Sequence, residues 1–221
     1  MISTAKAALV APPAAALRES VVAAQISRHV GHVPIEEREQ AFRQRALTLW
    51  MTGLSGAGKS SIAYALEHRL FEIGHPCYVL DGDNLRHHLN RDLGFSDAER
   101  SENIRRTAEV ARLMNDAGLI VVTALISPLR MDREIARRIV GEERFVEIHV
   151  STGLEVCEAR DPKGLYAKAR AGGIPGFTGI SAPYEPPAAP TLQIDTQRLD
   201  IDQAVDVLLE LLRQQGRLDR A

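Results

Sequence analysis

Three features of the sequence predict an α/β protein of three layers, α/β/α, with a mainly parallel sheet and a lid segment. Short apolar runs of strand type alternate with stretches of helical spacing, which calls for parallel strands joined by helices on both faces. A glycine-rich loop, Gly53 to Ser60, joins the first run to the first helix. Near the end, one long Gly- and Pro-rich segment breaks the alternation.

The elements follow in order. Met1 to about Gln25 reads as a loosely ordered leader and Ile26 to Arg45 as a polar, partly helical lead-in, which sets residues 1–45 apart from a domain of 46–221. Leu47 to Thr52 is apolar and strand-like, and Ser61 to Phe71 continues with helical spacing through Ile62, Ala63, Leu66 and Leu70. Gly74 caps that helix, and Cys77 to Leu80 is a second strand, ending on Asp81-Gly82-Asp83. Ser96 to Glu99 is a capping box. It opens a helix with Ile104, Ala108, Ala111 and Met114 on one face and Glu102, Arg105, Arg106 and Glu109 on the other, stopped at Gly118. Leu119 to Ala124 is a third strand, Met131 to Val140 a charged helix, Arg144 to Val150 a fourth strand and Gly153 to Arg160 a short helix. Asp161 to Pro190 is too long for a passive connection and predicts a lid or binding loop. Leu192 to Ile194 is the last strand, and Asp200 caps a final helix through Ile201, Ala204, Val205, Leu208, Leu211 and Leu212 to Gly216. With its glycine-rich loop between first strand and first helix, this pattern is of the P-loop NTPase type.

Composition narrows the function. The chain has 221 residues, 45% hydrophobic and 25% charged, with a formal net charge of −2. That balance gives no global attraction to nucleic acid or an anionic membrane, so anion binding must come from local clusters. No apolar stretch is long enough to span a bilayer. Cys77 and Cys157 form no C-x-x-C pair, which argues against a zinc site or disulfide framework and suits a reducing cytoplasm.

The chemistry is concentrated in two segments. Gly53-Leu54-Ser55-Gly56-Ala57-Gly58-Lys59-Ser60 is a complete phosphate-binding loop, continued by Ser61. Its glycines let the backbone turn N–H groups around phosphate oxygens, the helix start adds partial positive charge, Lys59 reaches the terminal phosphates and Ser60 can ligand Mg²⁺. Beyond the second strand, Asp81 and Asp83 can hold Mg²⁺ or orient an acceptor hydroxyl for attack on the γ-phosphate of ATP. Arg86, Arg91, Arg100, Arg105 and Arg106 form a dense set whose forks suit phosphate and sulfate oxygens, although Glu99, Glu102 and Glu109 stand at pairing distance and claim at least two of them. Arg100 and Asn103, three positions apart near a helix start, are the preferred substrate contacts. The guanine-reading string N-K-x-D of switch GTPases does not occur.

These residues carry a resemblance. Asp81-Gly82-Asp83-Asn84-Leu85-Arg86, Asp92-Leu93-Gly94-Phe95-Ser96 and Glu102-Asn103-Ile104-Arg105-Arg106 resemble the adenylyl-sulfate kinase family. So do Ile126-Ser127-Pro128, the run from Cys157 to Tyr166, Phe177-Thr178-Gly179-Ile180 and Pro183-Tyr184-Glu185, in the same order from about Ala46 to Thr196. The resemblance implies phosphorylation of the 3′-hydroxyl of adenosine 5′-phosphosulfate by ATP and Mg²⁺, in a cytoplasmic homodimer that can associate with ATP sulfurylase. It implies that Asp83, Asn84, Arg86, Phe95, Arg100, Asn103, Ile126, Ser127, Lys163, Gly176 and Phe177 surround the adenylyl sulfate, Phe95 and Phe177 clasping its adenine. It makes Ser127 a phosphorylatable serine, puts Arg160 near the ATP adenine and makes about 161–180 the lid. His88, Glu99, Leu125, Leu129 and Ser181 depart from the family pattern, and none is a phosphate or metal ligand. Another small-molecule P-loop kinase, or a nucleotide-sensing module of a sulfate-activating complex, is the alternative reading.

Overall fold

The computed structural model describes Ser27, His29 and residues 31–218; the expected leader lies outside the described residues. The chain divides into two units, Met1–Pro34 and Ile35–Ala221, and the second carries the site.

Its sheet has five parallel strands: β1 (Thr48–Thr52), β2 (Cys77–Asp81), β3 (Ile120–Ala124), β4 (Phe145–Val150) and β5 (Leu192–Ile194), in the order β2-β3-β1-β4-β5. The central strand β1 is buried throughout, and its side chains alternate between two cores as the two-residue strand period requires. Leu49 and Met51 join one apolar cluster with Ile62, Leu66 and Leu70 of α2 (Lys59–Glu72) and Val205, Leu208 and Leu212 of α8 (Ile201–Gln214). Trp50 points the other way, into a cluster with Ile104, Ala108 and Ala111 of α4 (Asp97–Asp116) and Ala136 and Val140 of α5 (Arg130–Val140). There its ring stacks on Phe145 at 5.5 Å between centroids. The three predicted layers are therefore present.

Local signals that set helix ends act as expected. Ser96 and Glu99 form a reciprocal capping box on α4, and Asp200 forms one with Gln203 on α8. Gly74 adopts φ 82°, and the following N–H of His75 returns to Leu70 O at 2.8 Å, closing α2. In the polar lead-in, α1 (Ile35–Phe42) is followed by buried Gln44, whose Nε2 donates to Pro76 O and Gly118 O at 2.9 Å each.

Two short helices carry no helical signal in the sequence pattern. Asp81-Gly82-Asp83-Asn84 starts α3 (Gly82–His87), because the Asp81 carboxylate accepts from Asp83 N at 3.0 Å and Asn84 N at 3.3 Å. After α6 (Leu154–Arg160), the short helix expected there, the stretch expected to be irregular opens with a further helix, α7 (Leu165–Arg170). Here Asp161 holds the free N–H groups of Tyr166 and Ala167 at 3.1 and 3.0 Å, so a capping carboxylate creates a helix that the surrounding Gly and Pro residues conceal.

Candidate active site at the carboxyl edge of the sheet

Register places Met51, Asp81 and Ala124 level with one another at the carboxyl ends of three adjacent strands. The phosphate-binding loop leaves β1 at that edge and enters α2. Gly53, Gly56 and Gly58 all have positive φ, at 154°, 75° and 104°. A side chain at Gly53 would meet Val150 O at 2.3 Å, so the loop lies directly against β4. Two threonines just past strand ends fasten it from below: Thr152 Oγ1 and Thr196 Oγ1 each donate to Ala57 O at 3.1 Å. Arg160 crosses the same corner, giving Nη1 to Thr196 Oγ1 at 2.7 Å and Nη2 to Thr196 O at 3.0 Å. Next to it, Gly58, Ser61, Ile62, Arg160, Thr196 and Leu199 line a cavity of about 260 Å³. Sequence reading missed Thr152 and Thr196; their position past β4 and β5, where a parallel sheet presents its ligands, was the available signal.

Lys59 is buried and donates to Gly53 O at 2.8 Å and Leu54 O at 2.7 Å, folded over its own loop. Burial pulls its pKa down from 10.5 to about 8, against the opposing pull of Asp81 and Asp83. Ser60 Oγ donates to Asp81 Oδ2 at 2.7 Å. That hydroxyl and carboxylate, hard oxygen donors beside the start of α2, fit Mg²⁺ bound jointly with phosphate oxygens. Among the described residues no cluster of three or more His, Cys, Asp or Glu could hold a metal unaided.

Asp81 is thus occupied on both oxygens, by Ser60 and by the start of α3, whereas the exposed carboxylate of Asp83 meets, among the described residues, Lys163, which reaches over from the segment between α6 and α7. Asn84 Nδ2 donates to Tyr64 Oη at 2.9 Å. Arg100 bridges from α4 to the far end of the lid segment, giving Nη1 to Thr178 Oγ1 at 2.8 Å and Nη2 to Gly176 O at 2.5 Å. Tyr166 of α7 closes onto the phosphate loop through Oη to Ser55 O at 2.9 Å. The segment expected to be a lid therefore touches both the phosphate loop and α4.

The arginine set separates as its acidic neighbours dictate. Arg105 and Arg106 are forked onto Glu102 and Asp92, and Arg91 is exposed. Arg86 donates to Gly94 O at 2.7 Å and lies over the Phe95 ring at 4.4 Å from its centre. Phe95 is 67% exposed, while Phe177 is buried edge-on against Tyr166 with centroids 5.0 Å apart. Asn103 is buried, its Oδ1 accepting from Asn90 Nδ2 at 3.0 Å. Ile126 gives its carbonyl to Thr52 Oγ1 at 2.7 Å. Ser127 is 3% exposed with φ 38°, its Oγ accepting from Trp50 Nε1 at 3.2 Å and its carbonyl held by Arg133 Nη1 at 2.7 Å. Of the departures from the family pattern, Glu99 completes the cap on α4 and Ser181 Oγ accepts from Phe177 N at 2.9 Å.

A parallel sheet, a phosphate cradle fastened to its carboxyl edge and a pair of aspartates beside it define a P-loop phosphotransferase. The model of the adenylylsulphate kinase family matches residues 45–195. The chain belongs to that family. An adenylyl-sulfate kinase of Enterobacter sp. (strain 638) is 55% identical over 186 residues, spanning 84% of this chain and 92% of that one. Another, from Shewanella pealeana, is 55% identical over 83% of this chain and 90% of its own. The structure of Mycobacterium tuberculosis APS kinase in complex with AMPPNP and APS is 50% identical, with a TM-score of 0.74 over 77% of this chain and 99% of that one.

Proposed function

We infer that this chain transfers the γ-phosphoryl group of ATP to the 3′-hydroxyl of adenosine 5′-phosphosulfate, forming 3′-phosphoadenosine 5′-phosphosulfate and ADP in sulfate activation. Family membership supports the choice of acceptor, reinforced by the relative solved with AMPPNP and APS. The observation that carries the reaction is the 2.7 Å contact between Ser60 of the phosphate loop and Asp81 of the neighbouring strand, with Asp83 two residues further on.

The loop amides receive the triphosphate, and Lys59 exchanges two carbonyls for phosphate oxygens. Ser60 and Asp81 would hold Mg²⁺, which when bound neutralises charge on the phosphates. Because Asp81 is occupied on both oxygens, Asp83 is the carboxylate available to orient the 3′-hydroxyl, once Lys163 turns to the phosphosulfate. The adenine of ATP fits the cavity beside Arg160 and Thr196. Arg86, Arg100 and Asn103, with Asn84, Phe95, Ile126, Gly176 and Phe177, make up the acceptor side, and residues 161–180 act as the lid. Closure excludes water, a competing acceptor for the phosphoryl group. Since Ser127 is buried against Trp50, direct transfer between the two nucleotides is the favoured route.

We further propose catalysis by 46–221, with 1–45 as a lead-in, in a cytoplasmic homodimer working with ATP sulfurylase. The two free cysteines, Cys77 and Cys157, suit a reducing compartment, and among the described residues no helix is long and apolar enough to cross a membrane.

The test is initial velocity of ADP release with adenosine 5′-phosphosulfate, AMP, gluconate and shikimate as acceptors. Turnover with the phosphosulfate far above the other three is expected; equal or faster turnover with any of them overturns the acceptor assignment.

A further inference from the structure

Asn90 sits in the loop between α3 and α4, fully buried, where folded proteins rarely place an asparagine. Its backbone is fastened on both sides, N–H to Leu85 O at 2.8 Å and C=O to Leu93 N at 3.0 Å. Its side chain gives Nδ2 to Asn103 Oδ1 at 3.0 Å, while its own Oδ1 is buried without a partner. A leucine of similar size would fill the space and remove the unsatisfied Oδ1, and its one polar cost would be the loss of the donor to Asn103 Oδ1, so the amide is explained by Asn103 and not by packing.

Its effect is on Asn103. With Oδ1 engaged by Asn90, the group Asn103 has left to offer is its Nδ2, a donor. The Asn103 backbone is also held, its carbonyl accepting Thr107 Oγ1 at 2.7 Å. Asn103 lies one helical turn beyond Arg100 at the start of α4. A donor fixed beside an arginine suits oxygen acceptors such as those of a phosphosulfate or ribose.

We propose that Asn90 is a positioning residue, which locks the Asn103 amide with its donor toward the acceptor nucleotide. This rests on the reading of Asn103 as an acceptor contact.

Three variants test it: Asn90→Leu, Asn103→Leu and the double variant, each checked for a folded-state melt, with Asn90→Ala replacing the leucine at 90 should it overpack. Asn90→Leu is expected to raise KM for adenosine 5′-phosphosulfate about tenfold, the scale of one lost hydrogen bond, and to leave KM for ATP unchanged. The double variant is expected to be no worse than Asn103→Leu, since Asn90 acts through Asn103. An unchanged acceptor KM in the folded Asn90 variant, an equal rise in both KM values, or additive losses in the double variant overturns the proposal. If Asn103→Leu alone leaves the acceptor KM unchanged, the reading of Asn103 fails and the proposal with it.

Discussion

Lys59 shows how strongly one residue is conditioned by its site. Burial, reinforced by the charge of Lys163, drives its ammonium toward the neutral form, so its pKa is about 8 against the usual 10.5. The sign follows from linkage: between these values the unfolded chain holds a proton that the folded chain releases, so this lysine makes the ligand-free protein more stable as pH rises through that window. A bound triphosphate favours the charged form and reverses the shift. ATP binding at pH 9 is therefore expected to take up a proton that binding at pH 6.5 does not. Calorimetry in buffers of different ionisation enthalpy reads this, and equal heats in all buffers at pH 9 would contradict it. Lys59→Ala removes the uptake and lowers kcat by about 10³, the scale of one phosphate-contacting cation. Ser127 makes the opposite prediction. It is held by Trp50 rather than by a base, and on the direct-transfer reading Ser127→Ala is expected to keep kcat within about threefold, since only one neutral hydrogen bond of the loop is lost. A fall of a hundredfold or more would indicate a required phosphoserine.

At the scale of elements, the phosphate loop works because it is pressed onto β4. Gly53→Ala would put a methyl group 2.3 Å from Val150 O, too close for any rotamer to relieve, and the loop must lift. A stability loss of about 1–3 kcal/mol is expected together with loss of ATP binding, measured by denaturant unfolding and titration calorimetry. Wild-type ATP affinity in Gly53→Ala would show that the close fit is dispensable. All five strands were legible because each is a short apolar run bounded by turn residues, and α4 and α8 because their caps are spelled out by Ser96-Glu99 and Asp200-Gln203. What sequence patterns did not disclose depends on side chains reaching beyond their own element. Asp81 caps α3 while also holding Ser60, and Asp161 caps α7 in a stretch whose glycines and prolines suggest coil. The partners chosen by Arg86 and Arg100 were hidden for the same reason: both donate to backbone carbonyls of loops, Gly94 and Gly176, which carry no sequence signature.

Across the whole molecule, one buried ion pair joins the sheet to the segment that carries Ser127. Arg133 Nε donates to Glu147 Oε1 at 2.8 Å, and the same guanidinium holds the carbonyls of Ser127 and Glu185. Arg133→Met leaves the Glu147 carboxylate in the interior with only Arg137, at 3.3 Å, to meet it. The expected loss is about 3 kcal/mol in denaturant unfolding. A change within about 0.5 kcal/mol, the scale of a neutral surface substitution, would show that the pair contributes nothing to this fold. The residues of the phosphate cradle were legible as a motif, but the side opposite it was readable only as a set of blocks resembling a family, because its members come from α3, α4, the segment after β3 and the segments between α6 and β5. The central claim is that a triphosphate in the 53–60 loop faces an adenylyl sulfate held from that opposite side. A crystal structure of the complex with ADP and adenosine 5′-phosphosulfate tests this most directly. The ADP phosphates are expected on the loop amides and the ribose 3′-oxygen beside Asp83, in line with the β-phosphate; an acceptor bound elsewhere, or with its 3′-oxygen turned from the loop, would overturn the proposed transfer.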